Sequence, residues 1–317
     1  MKAVYLQAGQ ILVKEFAPPQ RPPGFALIRM LLAGICNTDL ELQRGYYHFQ
    51  GIPGHEFVGQ VLASDATELK GRRVAGEINL ACGHCHFCAM GLGRHCSDRS
   101  VLGIVKHPGA FAELLILPDA NLHSIPSEVL DEEAVFIEPL AAACEILDQI
   151  AIPSGKKVAV LGDGKLGLLI AQVLHAHHAQ VTVYGRHAGK LAIAAARGIA
   201  TSLPDEYPQR SFSLVVECTG SATGLAQAIK MVQPRGTVIM KSTVHEEVTV
   251  DMAPIIVNEI SLIGSRCGRF EPAIQLLRDK KIDLRSMLSA EFPLEQAPAA
   301  FAEAARPGVL KVLLRNS

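Results

Sequence analysis

Cys82-Gly-His-Cys85-His-Phe-Cys88, followed by Cys96, sets four thiols at Cys-x2-Cys-x2-Cys-x7-Cys spacing. A single loop with that spacing can wrap four thiolates around a tetrahedral ion, and zinc is the usual one. Sulfur then fills every position, so such a site has no opening for substrate and is structural. The competing use of clustered cysteines, a disulfide framework, belongs mostly to short secreted chains. This chain has 317 residues. Its first apolar run, Met1 to Leu6, reaches Gly9 too soon for the core of a secretory signal. No stretch approaches the ~20 apolar residues of a membrane span. A cytoplasmic, reducing setting is expected.

A second, dispersed set could hold a reactive metal. Cys36 lies in Gly34-Ile35-Cys36-Asn37-Thr38-Asp39, His55 and Glu56 follow Gly54, and Glu138 opens Glu-Pro-Leu. Each has an ordinary structural use: a small buried thiol, a core histidine, a helix-start carboxylate. Together, thiolate, imidazole and carboxylate make an open site with water or substrate in the fourth position. Glu56, beside His55, either supports the ligands or exchanges with Glu138 as one of them. Asp39 is placed to orient the His55 ring through its second nitrogen. Tyr46, Tyr47, His48 and Phe49 either line a substrate mouth or simply pack.

The third signal is Gly162-Asp163-Gly164-Lys165-Leu166-Gly167, directly after the apolar run Val158–Leu161 and before a helical pattern. Glycines there permit a tight turn and close approach of a pyrophosphate, which sits on the helix N-terminus. The next strand ends Tyr184-Gly185-Arg186-His187, with no carboxylate before Asp205. An NAD site usually has Asp or Glu there for the ribose 2′-hydroxyl. Glycine removes the conflict with a 2′-phosphate, Arg186 can grip it, and Lys190 adds charge. NADP is therefore expected over NAD. Thr219, after Leu214–Glu217, is a further candidate neighbour of the cofactor.

These groups need a scaffold of two kinds. Residues 1–120 read as short strands broken by Gly and Pro, a barrel-like β region. From residue 157 strand and helix alternate, the pattern of a doubly wound parallel sheet. The fold class is thus α/β with a β-rich second domain. The division expected is 1–138 with 268–317, and 139–267 for the dinucleotide domain. Apolar content is 49% and charged content 19%, enough for a large core. A net charge of −1 gives no reason to expect nucleic acid or an anionic membrane as partner.

Taken in order, Gly-Ile-Cys36-Asn-Thr38-Asp39, Gly54-His55-Glu56-Phe-Val-Gly59, the cysteine lobe, Glu138-Pro-Leu and the glycine loop resemble the zinc-containing medium-chain dehydrogenase/reductase family along the whole chain. Glu138 makes the likeness greatest to its sorbitol and threonine dehydrogenase branch. The resemblance implies a GroES-like catalytic domain built from both chain ends, a Rossmann domain between, and dimers or tetramers. It implies two zinc ions per chain and reversible hydride transfer between an alcohol and NAD(P). Thr38 is the implied proton acceptor, and Arg266 the implied contact to cofactor or substrate. Many relatives relay the proton through a histidine where this chain has Glu41. An ordinary glutamate titrates near ~4.3 and relays poorly at neutral pH. NADPH-dependent carbonyl reduction is the same chemistry reversed. A non-catalytic cofactor-binding protein, or a zinc-free quinone reductase, would not need Cys36, His55 and Glu138 intact.

Overall fold

The computed structural model describes residues 1–203, 205–243 and 247–316. It divides into two units, each with its own core. Met1–Glu138, Phe270–Arg278 and Leu288–Ser317 form the first, and Pro139–Arg269 with Asp279–Met287 the second.

The first unit begins with a hairpin, β1 (Lys2–Gln7) and β2 (Gln10–Glu15). Its two-residue turn has Ala8 and Gly9 at φ +48° and +77°, the left-handed pair whose twist matches the strands. There follow β3 (Phe25–Gly34), α1 (Asn37–Gln43), β4 (Glu56–Ala63), β5 (Arg73–Gly76) and β6 (Asn79–Leu80). Next are α2 (His86–Ala89), β7 (Ser100–Leu102), β8 (Lys106–His107), β9 (Leu114–Pro118), β10 (Leu122–Ser124) and α3 (Asp131–Ala134), and α4 (Ile137–Gln149) carries the chain from the first unit into the second.

The second unit supplies β11 (Lys157–Leu161), α5 (Lys165–Ala176), β12 (Gln180–Tyr184), α6 (Ala188–Ala195), β13 (Ala200–Ser202) and β14 (Phe212–Glu217). It continues with α7 (Gly224–Met231), β15 (Val232–Met240), α8 (Ala253–Val257) and β16 (Ser261–Gly264). The chain then adds α9 (Phe270–Arg278), β17 (Leu288–Pro293), α10 (Ala297–Ala304) and β18 (Lys311–Arg315).

The main sheet of the first unit runs β10-β5-β4-β3-β18-β17, with β9 also on β3. The chain's last strand therefore lies against β3, with Leu313 opposite Gly34. Ile28, Met30, Leu32, Phe111, Leu117, Phe136 and Phe301 are fully buried or nearly so, and Phe111 meets Phe301 edge to face. The second unit holds a parallel sheet in the order β13-β12-β11-β14-β15-β16. Its central strands β11 and β14 are buried on both faces, which is why they read as continuous apolar runs. The sequence division put residues 279–287 with the first unit, but they pack with the second. Gln172 of α5 donates to the Asp283 carbonyl at 3.0 Å and accepts the Asp283 amide at 2.7 Å.

Candidate active site and cofactor cradle

Two reversals at one end of the first unit's sheet deliver the dispersed ligands. Cys36 follows β3 and caps α1, while His55 directly precedes β4 and Glu56 opens it, opposite Gly34. One ligand atom from each of Cys36, His55 and Glu56 lies within 4.8 Å of the other two. His55 and Glu56 are 3% and 1% exposed, and Cys36 is half-buried. Asp39, wholly buried, suspends both loops: Oδ2 accepts the Cys36 amide at 2.8 Å and Oδ1 the Gly54 amide at 3.2 Å. The same Oδ1 faces His55 Nδ1 at 3.5 Å.

Burial opposes a charged imidazole here. The Asp39 carboxylate and the Cys36 thiolate outweigh it and hold His55 well above the ordinary histidine value. Negative charge gathered around a buried imidazole is the environment of a cation. A thiolate, an imidazole and a carboxylate with one half-buried side fit a zinc ion with an open position. Glu138, half-buried in the first turn of α4, keeps its carboxylate outside this group. Glu56 is thus the carboxylate gathered with Cys36 and His55. Thr38 is also half-buried, with its hydroxyl 3.8 Å from Cys36 Sγ. Glu41, farther along α1, is ion-paired to Arg44 at 2.6 Å. Beyond it the Tyr46 and Tyr47 rings meet at a tilt of 38° with centroids 4.2 Å apart, and their hydrogen bond together with burial pushes the Tyr46 hydroxyl up to about 12.

The four clustered cysteines also converge. Cys88 Sγ lies 3.5 Å from Cys85 Sγ and 3.9 Å from Cys82 Sγ. Sulfurs ~2.3 Å from a tetrahedral zinc would stand about 3.8 Å apart. All eight cysteines are free thiols, so the disulfide alternative is not realised. The Cys88 amide lowers the Cys85 thiol to about 6, whereas burial and the Cys85 sulfur push Cys88 up to about 11. Crowded thiols oppose each other's ionisation until a cation neutralises them.

In the second unit the glycine loop joins β11 to α5. Gly162 is at φ +126°, and a Cβ there would meet the Cys218 carbonyl oxygen at 2.6 Å. Gly164, the N-cap of α5, has open space beside it where a phosphate can approach. A Cβ on Gly167 would stand 2.1 Å from the Gly162 carbonyl oxygen, so helix and strand can be this close only without one. Asp163 is 7% exposed and binds the next turn: its Oδ2 accepts the amides of Arg186 at 2.8 Å and His187 at 2.7 Å. Burial alone would raise its carboxyl, but His187 and these amides bring it below the usual aspartate value. Arg186 is exposed and Lys190 half-buried. Thr219 donates its amide and hydroxyl to buried Glu217 Oε1 at 2.8 and 2.6 Å. The Arg266 side chain is exposed.

Residues 22–127 match the family of alcohol dehydrogenase GroES-like domains, and residues 166–279 match the zinc-binding dehydrogenases. The chain is 30% identical to D-altritol 5-dehydrogenase of Agrobacterium fabrum over 97% of both chains. The chain belongs to the zinc-containing medium-chain dehydrogenase family. It is an oxidoreductase acting on alcohols. A Sinorhizobium meliloti zinc-binding dehydrogenase bound to NADP superposes on this dehydrogenase with a TM-score of 0.89 at 29% identity, over 99% of this chain and 98% of that one. An Escherichia coli alcohol dehydrogenase complexed with NADH does so with 0.91 at 26%, over 99% of each.

Sequence reading missed two buried lysines of the dehydrogenase. Lys311, 1% exposed, bonds Glu56 Oε2 directly and lies 5.2 Å from the Phe136 ring centre. Its signal was a lysine directly before the apolar run Val312-Leu313-Leu314 of a short strand. Lys241, 8% exposed, donates Nζ to the carbonyls of Ala142 at 2.7 Å and Arg266 at 2.9 Å and to Ser265 Oγ at 3.0 Å. It fixes the Ser265-Arg266 turn from beneath. No helix among the described residues is long and apolar enough to cross a membrane.

Proposed function

We propose that the protein catalyses reversible hydride transfer between a secondary alcohol or polyol and NADP. One zinc is held by Cys36, His55 and Glu56, and a second by Cys82, Cys85, Cys88 and Cys96. The observation that carries this reading is the convergence of Cys36, His55 and Glu56 on one half-buried point. When bound, the catalytic zinc supplies a Lewis acid that lowers the pKa of an alcohol hydroxyl. Thr38, its hydroxyl beside Cys36, accepts the substrate proton at Oγ1 while its own hydroxyl proton leaves toward solvent; Glu41, ion-paired to Arg44, stands where the outward path of that proton would begin. The first turn of α5 receives the pyrophosphate, and Thr219 and Arg266 flank the nicotinamide end. NADP is favoured by Gly185, Arg186 and Lys190. A polyol substrate accords with D-altritol 5-dehydrogenase among the relatives.

The protein works as a homodimer or homotetramer in the cytoplasm. Support for association comes from the sheet edge at β16 and from α8, whose Met252, Ile256 and Val257 are 55%, 71% and 78% exposed. The test is metal content per chain, before and after a mild chelator. Two zincs, one removed together with NADP-dependent polyol oxidation, support the reading. One zinc in the untreated protein, unchanged by Cys36→Ser, would end the metal mechanism.

A further inference from the structure

The turn between β12 and α6 differs in kind from a ribose-binding turn that carries its own acid. No side chain can stand at position 185, because a Cβ there would lie 2.5 Å from Asp163 Oδ2 and 2.6 Å from Asp163 Cβ. The acid in this place comes instead from the glycine loop, and it points at the protein. Asp163 Oδ2 accepts two backbone amides of the turn, and both carboxylate oxygens lie close to His187 Nδ1, at 3.0 and 3.1 Å. The carboxylate is therefore engaged by three donors of the turn. Among the described residues the imidazole is tethered through Nδ1 alone, and the side chain is 49% exposed, so its far nitrogen, Nε2, can meet an outside partner. Arg186, the preceding residue, is exposed.

A turn with this chemistry suits an anion. Nδ1–H donates to Asp163, so an imidazolium can present a second N–H at Nε2. We infer that His187, positioned by Asp163, is a second donor beside Arg186 to the 2′-phosphate of NADP, and that this pair sets the choice between NADP and NAD. The inference rests on the NADP preference proposed above. It assigns to Asp163 a positioning role distinct from the pyrophosphate contact expected of its loop.

Adenosine 2′,5′-bisphosphate and 5′-AMP separate the contributions, because they differ only at the 2′ position and need neither metal nor turnover. Calorimetric titration of the full-length protein with each gives the ratio of affinities. Loss of a charge-assisted hydrogen bond at a half-exposed site is expected to weaken the bisphosphate about fivefold to twentyfold in His187→Ala. Binding of 5′-AMP should stay within about twofold, because that ligand lacks the group His187 meets. Asp163→Asn keeps an oxygen for the turn's amides and removes the charge behind the ring, so it should lower the same ratio. If both ligands weaken equally in the two variants, Asp163 and His187 merely shape the turn and the inference fails. A strong wild-type preference that neither variant alters leaves the NADP reading to Arg186 and also sinks the inference. Equal affinity of the wild type for the two nucleotides removes both.

Discussion

Replacing Lys311 with methionine tests how charge is balanced around Cys36, His55 and Glu56. Lys311 and Glu56 are each 1% exposed and bonded to one another. The Cys36 thiolate and the Asp39 and Glu56 carboxylates bring three negative charges to this region. Lys311 offsets one, and the divalent zinc proposed here would offset the other two. Methionine keeps an apolar stem against Phe136 while removing the charge. Removing one member of a buried pair costs about 3–5 kcal/mol, because the stranded carboxylate stays out of water without its partner. At ~2–4 °C per kcal/mol for a domain of this size, zinc-free Lys311→Met should melt about 10 °C below wild type. Zinc should recover part of that loss, since Glu56 released from Lys311 turns wholly to the ion. Thermal melts of both proteins, chelated and zinc-loaded, give the four values needed. The double variant Glu56→Gln with Lys311→Met leaves no stranded charge and should regain most of the difference. A zinc-free drop under about 2 °C, or the same drop with and without zinc, would refute the charge-balance reasoning.

Asp39→Asn should weaken zinc binding at the Cys36 site by about 10–100-fold, the scale seen when a ligand's outer partner is lost, and chelator competition measures it. The cysteine lobe should keep its zinc in the same protein. Gly167→Ala forces a Cβ to 2.1 Å from the Gly162 carbonyl oxygen, so urea unfolding should show a loss of about 1–3 kcal/mol together with weaker nucleotide binding. Asp163 is held below its unfolded value of 3.8, so the stability it contributes is present above that pH and is lost as pH falls through the depressed value. The stability difference between wild type and Asp163→Asn should be level down to about pH 4 and shrink below it, as followed by melts across acidic buffers.

Much of the fold could be read because its signals are local. The β11-loop-α5 junction follows from an apolar run meeting spaced glycines. The cysteine lobe was legible for the same reason, since its four thiols lie within a separation of 14 residues. Helix α1 was not anticipated: Asn37–Gln43 is short, and its start is fixed by Asp39 reaching back to the Cys36 amide. Long-range choices were hidden as well. That Glu56 rather than Glu138 joins Cys36 and His55 depends on the pairing of β3 with β4. Lys311 meets Glu56 across 255 residues, and no local pattern encodes such a meeting. Residues 279–287 were misassigned because a side-chain amide, Gln172, anchors them rather than a strand or an apolar face.

The placement of β18 has a consequence for the order in which the protein acquires its metals. The cysteine lobe is complete once the ribosome has passed Cys96, and its ligands can capture zinc with little chain to close. The Cys36 site stands differently. The amide of Ile35 is held at 2.9 Å by the carbonyl of Val312, and Glu56 takes its counter-charge from Lys311. The loop that presents Cys36 is therefore not locked until the strand 311–315 is made and inserted beside β3. With the two zinc sites proposed above, the nascent chain would complete the structural ligand set first and the reactive one last. A chain halted before residue 311 would then hold the lobe's four thiols together but leave the loop of Cys36 without its backbone anchor and Glu56 without its counter-charge.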